Sequence, residues 1–305
     1  MKKINFLNTF KYSSSNIVNT SKNKKCLKNF CMVKNFSSVH VDRNDDTFFK
    51  SIKDWWDVNG TMRTLHEYND VRIKYLKNQL TQEFTGALFE NKISNQGVGN
   101  SMPFKKLNML DVGCGGGILC ESLARLGADI IGIDSNANSF NIASAHLNNY
   151  EGDELKYMQG KLKYYNGSTD NYIEDARKSD RHIKQFDVVL AMEVIEHVNS
   201  PELFAKDLST LTKDGGYLFI STINKTNISY YGMIVAGEKL FGIVPEGTHD
   251  WNKFIKPEKL IQILKENGYC LKNLSGVSYN PITGHMDLSS DLSMNYILFA
   301  KKLSR

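Results

Sequence analysis

The spacing of hydrophobic positions changes character along this chain. Between Asp46 and Asn59, Phe48, Phe49, Ile52, Trp55 and Trp56 recur at helical spacing, which predicts an amphipathic helix ending near Asn59-Gly60. A second helical stretch, Tyr68 to Gln82, carries Val71, Ile73, Tyr75, Leu76 and Leu80, and the polar Gly, Asn and Ser positions from Asn91 to Ser101 read as a loop. From Leu107 onward short apolar runs alternate with helical segments, the signature of a parallel, doubly wound sheet with helices on both faces. The runs predict strands at Asn108–Val112, Asp129–Ile133, Leu162–Tyr165, Phe186–Ala191 and Gly216–Ser221. Two more fall between Ser275 and Leu303, the last at Asn295–Lys301. Helices are predicted at Gly117–Leu126, Ser139–Asn148, Asp170–Lys178, Ser200–Leu211 and Pro257–Asn267. The chain therefore divides into a tail (1–41), N-terminal helices and a linker (42–101), and an α/β domain (102–305) with an insertion at 224–250. No internal repeat is present.

Composition narrows the picture. With 305 residues, 41% apolar and 23% charged, the chain is globular in type, and it contains no run of 18 apolar residues that would make a transmembrane helix. The net charge of +5 is misleading, because Met1 to Val41 holds eight Lys and no acid while the remainder balances 30 basic against 33 acidic residues. The excess belongs to the tail, which removes the main support for nucleic-acid binding. That tail mixes Lys with Ser, Asn and scattered Phe, Leu and Ile, lacks Arg, and has no apolar stretch long enough for a secretory signal. It reads as a mitochondrial presequence cut before Asp42. Five Cys form an odd set with two in the tail, and Cys114 and Cys120 flank a Gly-rich turn, which suits reduced core residues better than a zinc knuckle or redox pair.

The chemistry begins at Leu110-Asp111-Val112-Gly113-Cys114-Gly115-Gly116-Gly117, a strand that breaks into glycines and opens a helix. Glycines there let a backbone turn sharply and approach a ligand closely. At the end of the next strand, Ile131-Gly132-Ile133-Asp134 supplies a carboxylate for two ribose hydroxyls. A dinucleotide fold and an S-adenosylmethionine site share this pair. A pyrophosphate site wants G-x-G-x-x-G, whereas Asp111 directly before the loop would repel a diphosphate and suits a ligand bearing a sulfonium and an ammonium.

The DVGCGGG loop followed by GID resembles the class I S-adenosylmethionine-dependent methyltransferases. Further segments are similar to the ubiquinone biosynthesis O-methyltransferase family: Trp55-Trp56-Asp57, Arg72, the stretch from Met192 to Val198, Pro245 to Trp251, Lys253 to Pro257, and Tyr279 to Thr283. This resemblance implies a Rossmann-like, mostly parallel seven-stranded sheet with an N-terminal helical lid. It places the cofactor on Arg72, Asp111, Gly113, Gly115, Asp134 and Met192, and implies transfer of methyl to a phenolic hydroxyl of polyprenyl-dihydroxybenzoate and of demethylubiquinol. It also implies a peripheral enzyme on the matrix side of the mitochondrial inner membrane, in contact with a polyprenylated aromatic substrate and other ubiquinone-biosynthesis proteins.

Glu193, Glu196 and His197 stand at i, i+3 and i+4 after the fourth strand, so a helical turn would converge two carboxylates and an imidazole on one face. Such a set favours Mg²⁺ over Zn²⁺, and a metal-chelated catechol would become the attacking phenolate. No catalytic base is singled out, since His66, His249 and Lys225 suit structural or surface roles equally well. The insertion 224–250 is too interrupted to span a membrane but apolar enough to cover substrate or to meet a membrane surface. Two other readings stay open: methylation of a different small phenol, and a catalytically silent subunit of a biosynthetic complex.

Overall fold

Strand β1 (Asn108–Val112) is buried on both faces over most of its length, as a central strand of a helix-covered sheet must be, and its neighbours share that burial. The computed structural model describes residues 52, 54–84, 102–230, 250–280 and 283–304. In chain order these hold helix α1 (Arg63–Phe84), β1, α2 (Ile118–Arg125), β2 (Asp129–Asp134), α3 (Ala137–Asn148), α4 (Gly152–Lys161), β3 (Leu162–Asn166), α5 (Thr169–Lys178) and β4 (Phe186–Met192). They continue with α6 (Pro201–Leu211), β5 (Thr212–Ile223), α7 (Pro257–Glu266), β6 (Tyr269–Tyr279), β7 (Met286–Ser289) and β8 (Asn295–Lys302). The strands lie in the order β3-β2-β1-β4-β5-β8-β6-β7. Strands β1 to β5 are mutually parallel, β8 runs antiparallel between β5 and β6, and β7 pairs antiparallel with β6. This is the Rossmann-like α/β architecture expected for a class I methyltransferase.

Alternation along each strand sends side chains into two separate cores. One lies under α1, α2 and α4 and includes Tyr75, Met109, Leu123, Val188, Leu190, Phe219 and Phe299; the other lies under α5, α6 and α7 and includes Leu110, Val189, Leu208, Leu218, Ile263 and Leu298. Local signals fix where the covering helices start. The Asn136 side chain accepts from the Asn138 and Ser139 amides to cap α3, and Ser200 with Pro201 opens α6. Among the described residues no helix is long and apolar enough to cross a membrane.

Three elements depart from the expectation. The described part of Asp46–Asn59 forms turns: the Asp54 side chain accepts from the Thr61 amide at 2.7 Å and that of Asp57 from the Asn59 amide at 2.9 Å. Short Asp side chains capture backbone donors that a helix would have used. The apolar spacing still marks burial, since Ile52 and Trp55 join Met62 and Ile118 in a third cluster. Helix α4 went unread because Met158 is its only buried residue, leaving no apolar stripe. Strand β6 begins at Tyr269, well before Ser275, and its polar, half-exposed course hides it; β7 then adds an eighth strand at the edge.

The aromatic stack of the first core gives a direct test. Phe219 is 0% exposed, with its ring 4.6 Å from that of Phe299 and 6.0 Å from that of Tyr75. Phe219→Ala is expected to lower stability by about 3–5 kcal/mol, read as a fall in the urea midpoint at constant slope.

Candidate cofactor and acceptor site

The loop after β1 is shaped by glycines at positive φ: Gly113 at +70°, Gly115 at +55° and Gly117 at +88°, the last opening α2. None of these positions has room for a side chain, a Cβ on Gly117 meeting the Tyr164 hydroxyl. A Cβ on Gly113 would lie 2.4 Å from Val194 Cγ2, and one on Gly115 would lie 2.4 Å from the Trp55 ring. Trp55 therefore lies directly on the loop, and Trp56 Nε1 donates to the Gly116 carbonyl at 2.9 Å. The loop is held from the β2 side as well: Asp134 Oδ2 accepts from the Gly115 amide at 2.7 Å and Oδ1 from the Asn136 amide at 2.8 Å. These bonds tie Asp134 to the glycine loop and to the start of α3.

Asp111 points to the face covered by α1. It is 2% exposed, accepts from Cys120 Sγ at 3.2 Å, and burial pushes its carboxyl up to about 7 against the pull of Arg72. Arg72 is 7% exposed, and its guanidinium lies over the Tyr68 ring, 4.4 Å from the centroid. One turn of α1 thus delivers both residues to the carboxyl ends of β1, β4 and β5. Several buried polar atoms collected there complete no hydrogen bond within the protein: Arg72 Nε, Tyr68 Oη, Ser221 Oγ and Glu193 Oε1. Buried polar atoms are ordinarily paired, so the donors of this set, Arg72 Nε with the Tyr68 and Ser221 hydroxyls, fit the carboxylate at the amino-acid end of a ligand such as S-adenosylmethionine. Met192, 6% exposed, ends β4 beside them.

The acidic set after β4 does not take the form its spacing suggested. Glu193 sits at φ +58°, Val194 is extended in φ, and only Ile195–His197 forms a single 3-10 turn. The i, i+3, i+4 convergence of a helix is therefore lost. Among the described residues no three of His, Cys, Asp and Glu gather as a metal-ligand set. Glu193 and Glu196 do act together, since the fields of both raise the Tyr68 hydroxyl, whose shift is dominated by burial.

Of the imagined bases, His66 Nε2 is bonded to the Trp55 carbonyl at 2.8 Å, and Lys225 Nζ donates to the Asn252 carbonyl at 2.9 Å. Both are structural, and His249 lies outside the described residues. So does most of the insertion, along with Pro245 to His249. Its flanks meet: Trp251 Nε1 donates to the Thr226 carbonyl at 3.1 Å, and the Lys225 ammonium lies 4.8 Å from the Trp251 ring centroid. Asn166-Gly167-Ser168 ends β3 and caps α5 through Ser168. Cys114 and Cys120 are buried free thiols, as expected. Tyr68, Ser221 and the loop-covering role of Trp55 were not anticipated; the available signal was Tyr68 standing one helical turn before Arg72.

Comparison with known proteins agrees with this geometry. Residues 72–272 match the family described as a methyltransferase domain. The ubiquinone biosynthesis O-methyltransferase of Dictyostelium discoideum, named mitochondrial, is 38% identical over 266 residues, covering 84% of this chain and 76% of that protein. The enzyme of the same name from Pelagibacter ubique is 38% identical, covering 83% of this chain and 94% of its own length. The mitochondrial one from Rattus norvegicus is 37% identical, covering 87% and 70%.

Two outcomes test the site. A cation placed beside Asp111 favours its carboxylate, so binding expels the proton held up to about 7. S-adenosylmethionine affinity should then rise with pH by up to about tenfold per unit and level off above that pKa, and Asp111→Asn should flatten the profile in calorimetric titrations. Without ligand the sign is opposite for stability: the contribution of Asp111 is largest below about pH 4 and is lost as pH rises through the folded-state value. Gly113→Ala should weaken cofactor binding at least about tenfold, because the αL backbone and the Val194 contact both oppose a side chain.

Proposed function

The chain belongs to the ubiquinone biosynthesis O-methyltransferase family, and on that premise we propose that it methylates a phenolic hydroxyl of polyprenyl-dihydroxybenzoate and of demethylubiquinol. It is an S-adenosylmethionine-dependent methyltransferase. The observation that carries the reading is the close match to relatives of that name, joined to a glycine loop locked by Asp134 beneath the buried Arg72 and Asp111.

When bound, S-adenosylmethionine supplies an electrophilic methyl on a sulfonium. The residues of this chain hold it and the acceptor in line. Asp134 takes the ribose, Arg72 and Asp111 take the charges of the amino-acid end, and Gly113, Gly115 and Met192 shape the channel between them. Orientation of two bound reactants accounts for much of such a rate enhancement. Glu193, with a buried oxygen that makes no hydrogen bond, accepts from the acceptor's hydroxyl and draws its proton. For a divalent ion the fit is incomplete, because the three expected ligands do not gather. No step is therefore assigned to a metal, and the proposal limits Mg²⁺ to an ion recruited by Glu193, Glu196 and His197 together with a catechol.

We place the enzyme in the mitochondrion, on the matrix side of the inner membrane as a peripheral protein beside others of the pathway. The Lys-rich tail and the mitochondrial names of the Dictyostelium and rat relatives support the compartment. The paired flanks of the insertion, with Ile228 57% exposed at its start, support a membrane contact through 224–250.

The protein lacking residues 1–41, given S-adenosylmethionine and a short-chain polyprenyl dihydroxybenzoate, is expected to yield the methyl ether by mass spectrometry. Cofactor binding without product would exclude this acceptor, and absence of both would restore the silent-subunit reading. Glu193→Gln should lower kcat by at least about 100-fold while sparing cofactor binding, and turnover unaffected by exhaustive chelation would remove Mg²⁺ from the account. Ile228→Asp should reduce liposome flotation; unaltered flotation would place the insertion off the membrane.

A further inference from the structure

Beside the cofactor loop lies a buried polar network that the transfer itself does not use. Glu121, on the first turn of α2, is 0% exposed. Its Oε1 accepts from His146 Nδ1 at 2.8 Å, and its Oε2 accepts from the Tyr150 hydroxyl. Arg125 approaches the same carboxylate at 3.9 Å. The His146 imidazole then stacks face to face on the Trp56 indole, with centroids 3.5 Å apart and planes within 3°. From the same indole, Nε1 donates to the Gly116 carbonyl. An unbroken path thus runs from a buried acid through two stacked rings to one peptide of the glycine loop.

The path joins four pieces of chain: the Trp55-Trp56 segment, the loop itself, the helix after the loop and the helix after Asp134. Apolar packing alone would not call for it. A carboxylate taken from water is costly unless fully bonded, and well-packed hydrophobic residues serve stability at least as well. What a satisfied polar network adds is fixed orientation. Gly116 has no side chain through which it could be held, and its carbonyl is the group that Trp56 takes.

We propose that His146 is a positioning residue for the methyl donor: seated on Glu121, it holds Trp56 in the plane from which the indole N–H fixes the Gly116 peptide and keeps Trp55 down on Gly115. This rests on the reading of the glycine loop as the cofactor site. The residue touches neither donor nor acceptor and works through Trp56.

The test uses the enzyme freed of its tail and three variants, His146→Ala, His146→Phe and Trp56→Phe, assayed for KM and kcat at varied S-adenosylmethionine. Trp56→Phe keeps a stacked ring and loses the N–H bond; its KM for S-adenosylmethionine should rise by about fivefold to tenfold, the equivalent of one hydrogen bond, with kcat within about twofold. His146→Phe keeps the stack without the Glu121 link and should fall between wild type and His146→Ala. Loss of the stacked imidazole in His146→Ala should also brighten emission from the protein's three tryptophans, Trp55, Trp56 and Trp251. An unchanged KM in Trp56→Phe overturns the proposal, as does a His146→Ala protein with wild-type emission and KM. Should His146→Ala fail to fold, Trp56→Phe decides alone. A wild-type enzyme that binds no S-adenosylmethionine overturns instead the cofactor reading beneath it.

Discussion

Charge held out of water, at the carboxyl ends of parallel strands, governs the arrangement of this molecule. Arg72 and Asp111 are each more than nine-tenths buried, on different elements and on the same face of the sheet. Neither would be placed there for stability, since removing an ion from water costs several kcal/mol before any attraction returns it. They are sustained because α1 lies across that face on Tyr68, Val71, Tyr75, Leu76 and Leu80, and because the Tyr75 hydroxyl donates to Asn273 on β6 at 2.8 Å. The apolar stripe supplies the adhesion, and the polar residues between its members ride in with it.

The same logic accounts for the backbone. Gly113, Gly115, Gly117 and Glu193 have positive φ where β1 and β4 end, and Glu193 adopts that conformation without being glycine. A non-glycine residue in the left-handed region persists only when its surroundings over-determine it. Here the Glu193 amide donates to the Ser221 carbonyl at 3.0 Å, so β5 holds the strained residue in place. Strain, orphaned polar atoms and a carboxyl with a raised pKa all fall within one cleft, a concentration that marks functional sites more often than structural ones.

Much of this was legible in the sequence, and the reasons differ by element. Strands β1, β2, β4 and β5 announce themselves because burial on both faces calls for runs of mostly apolar residues. The loop at Gly113 is legible because a strand that turns sharply into a helix calls for residues that accept positive φ. What escaped reading was set by tertiary context. The turns at Asp54 and Asp57 depend on side chains competing with the helix for amides, and helix α4 has too little apolar surface to show a period. Glu193 and Glu196 carry the right chemistry at helical spacing, but the chain leaves β4 through a left-handed residue and the spacing loses its meaning. The links of His146 to Glu121 and Trp56 are not legible, because nothing in its neighbourhood along the chain names either partner.

The pinned flanks of the insertion bear on how such a scaffold diversifies. Thr226 and Trp251 are bonded across 25 positions of sequence, so the chain between them begins and ends at one point on the rim. Once the ends of a loop are fixed, its length enters the free energy only logarithmically, at about 0.6 kcal/mol per doubling. Residues can be added, removed or exchanged there with little consequence for β5, α7 or the glycine loop. That stretch is thereby free to drift, while the glycine loop stays locked by the sheet.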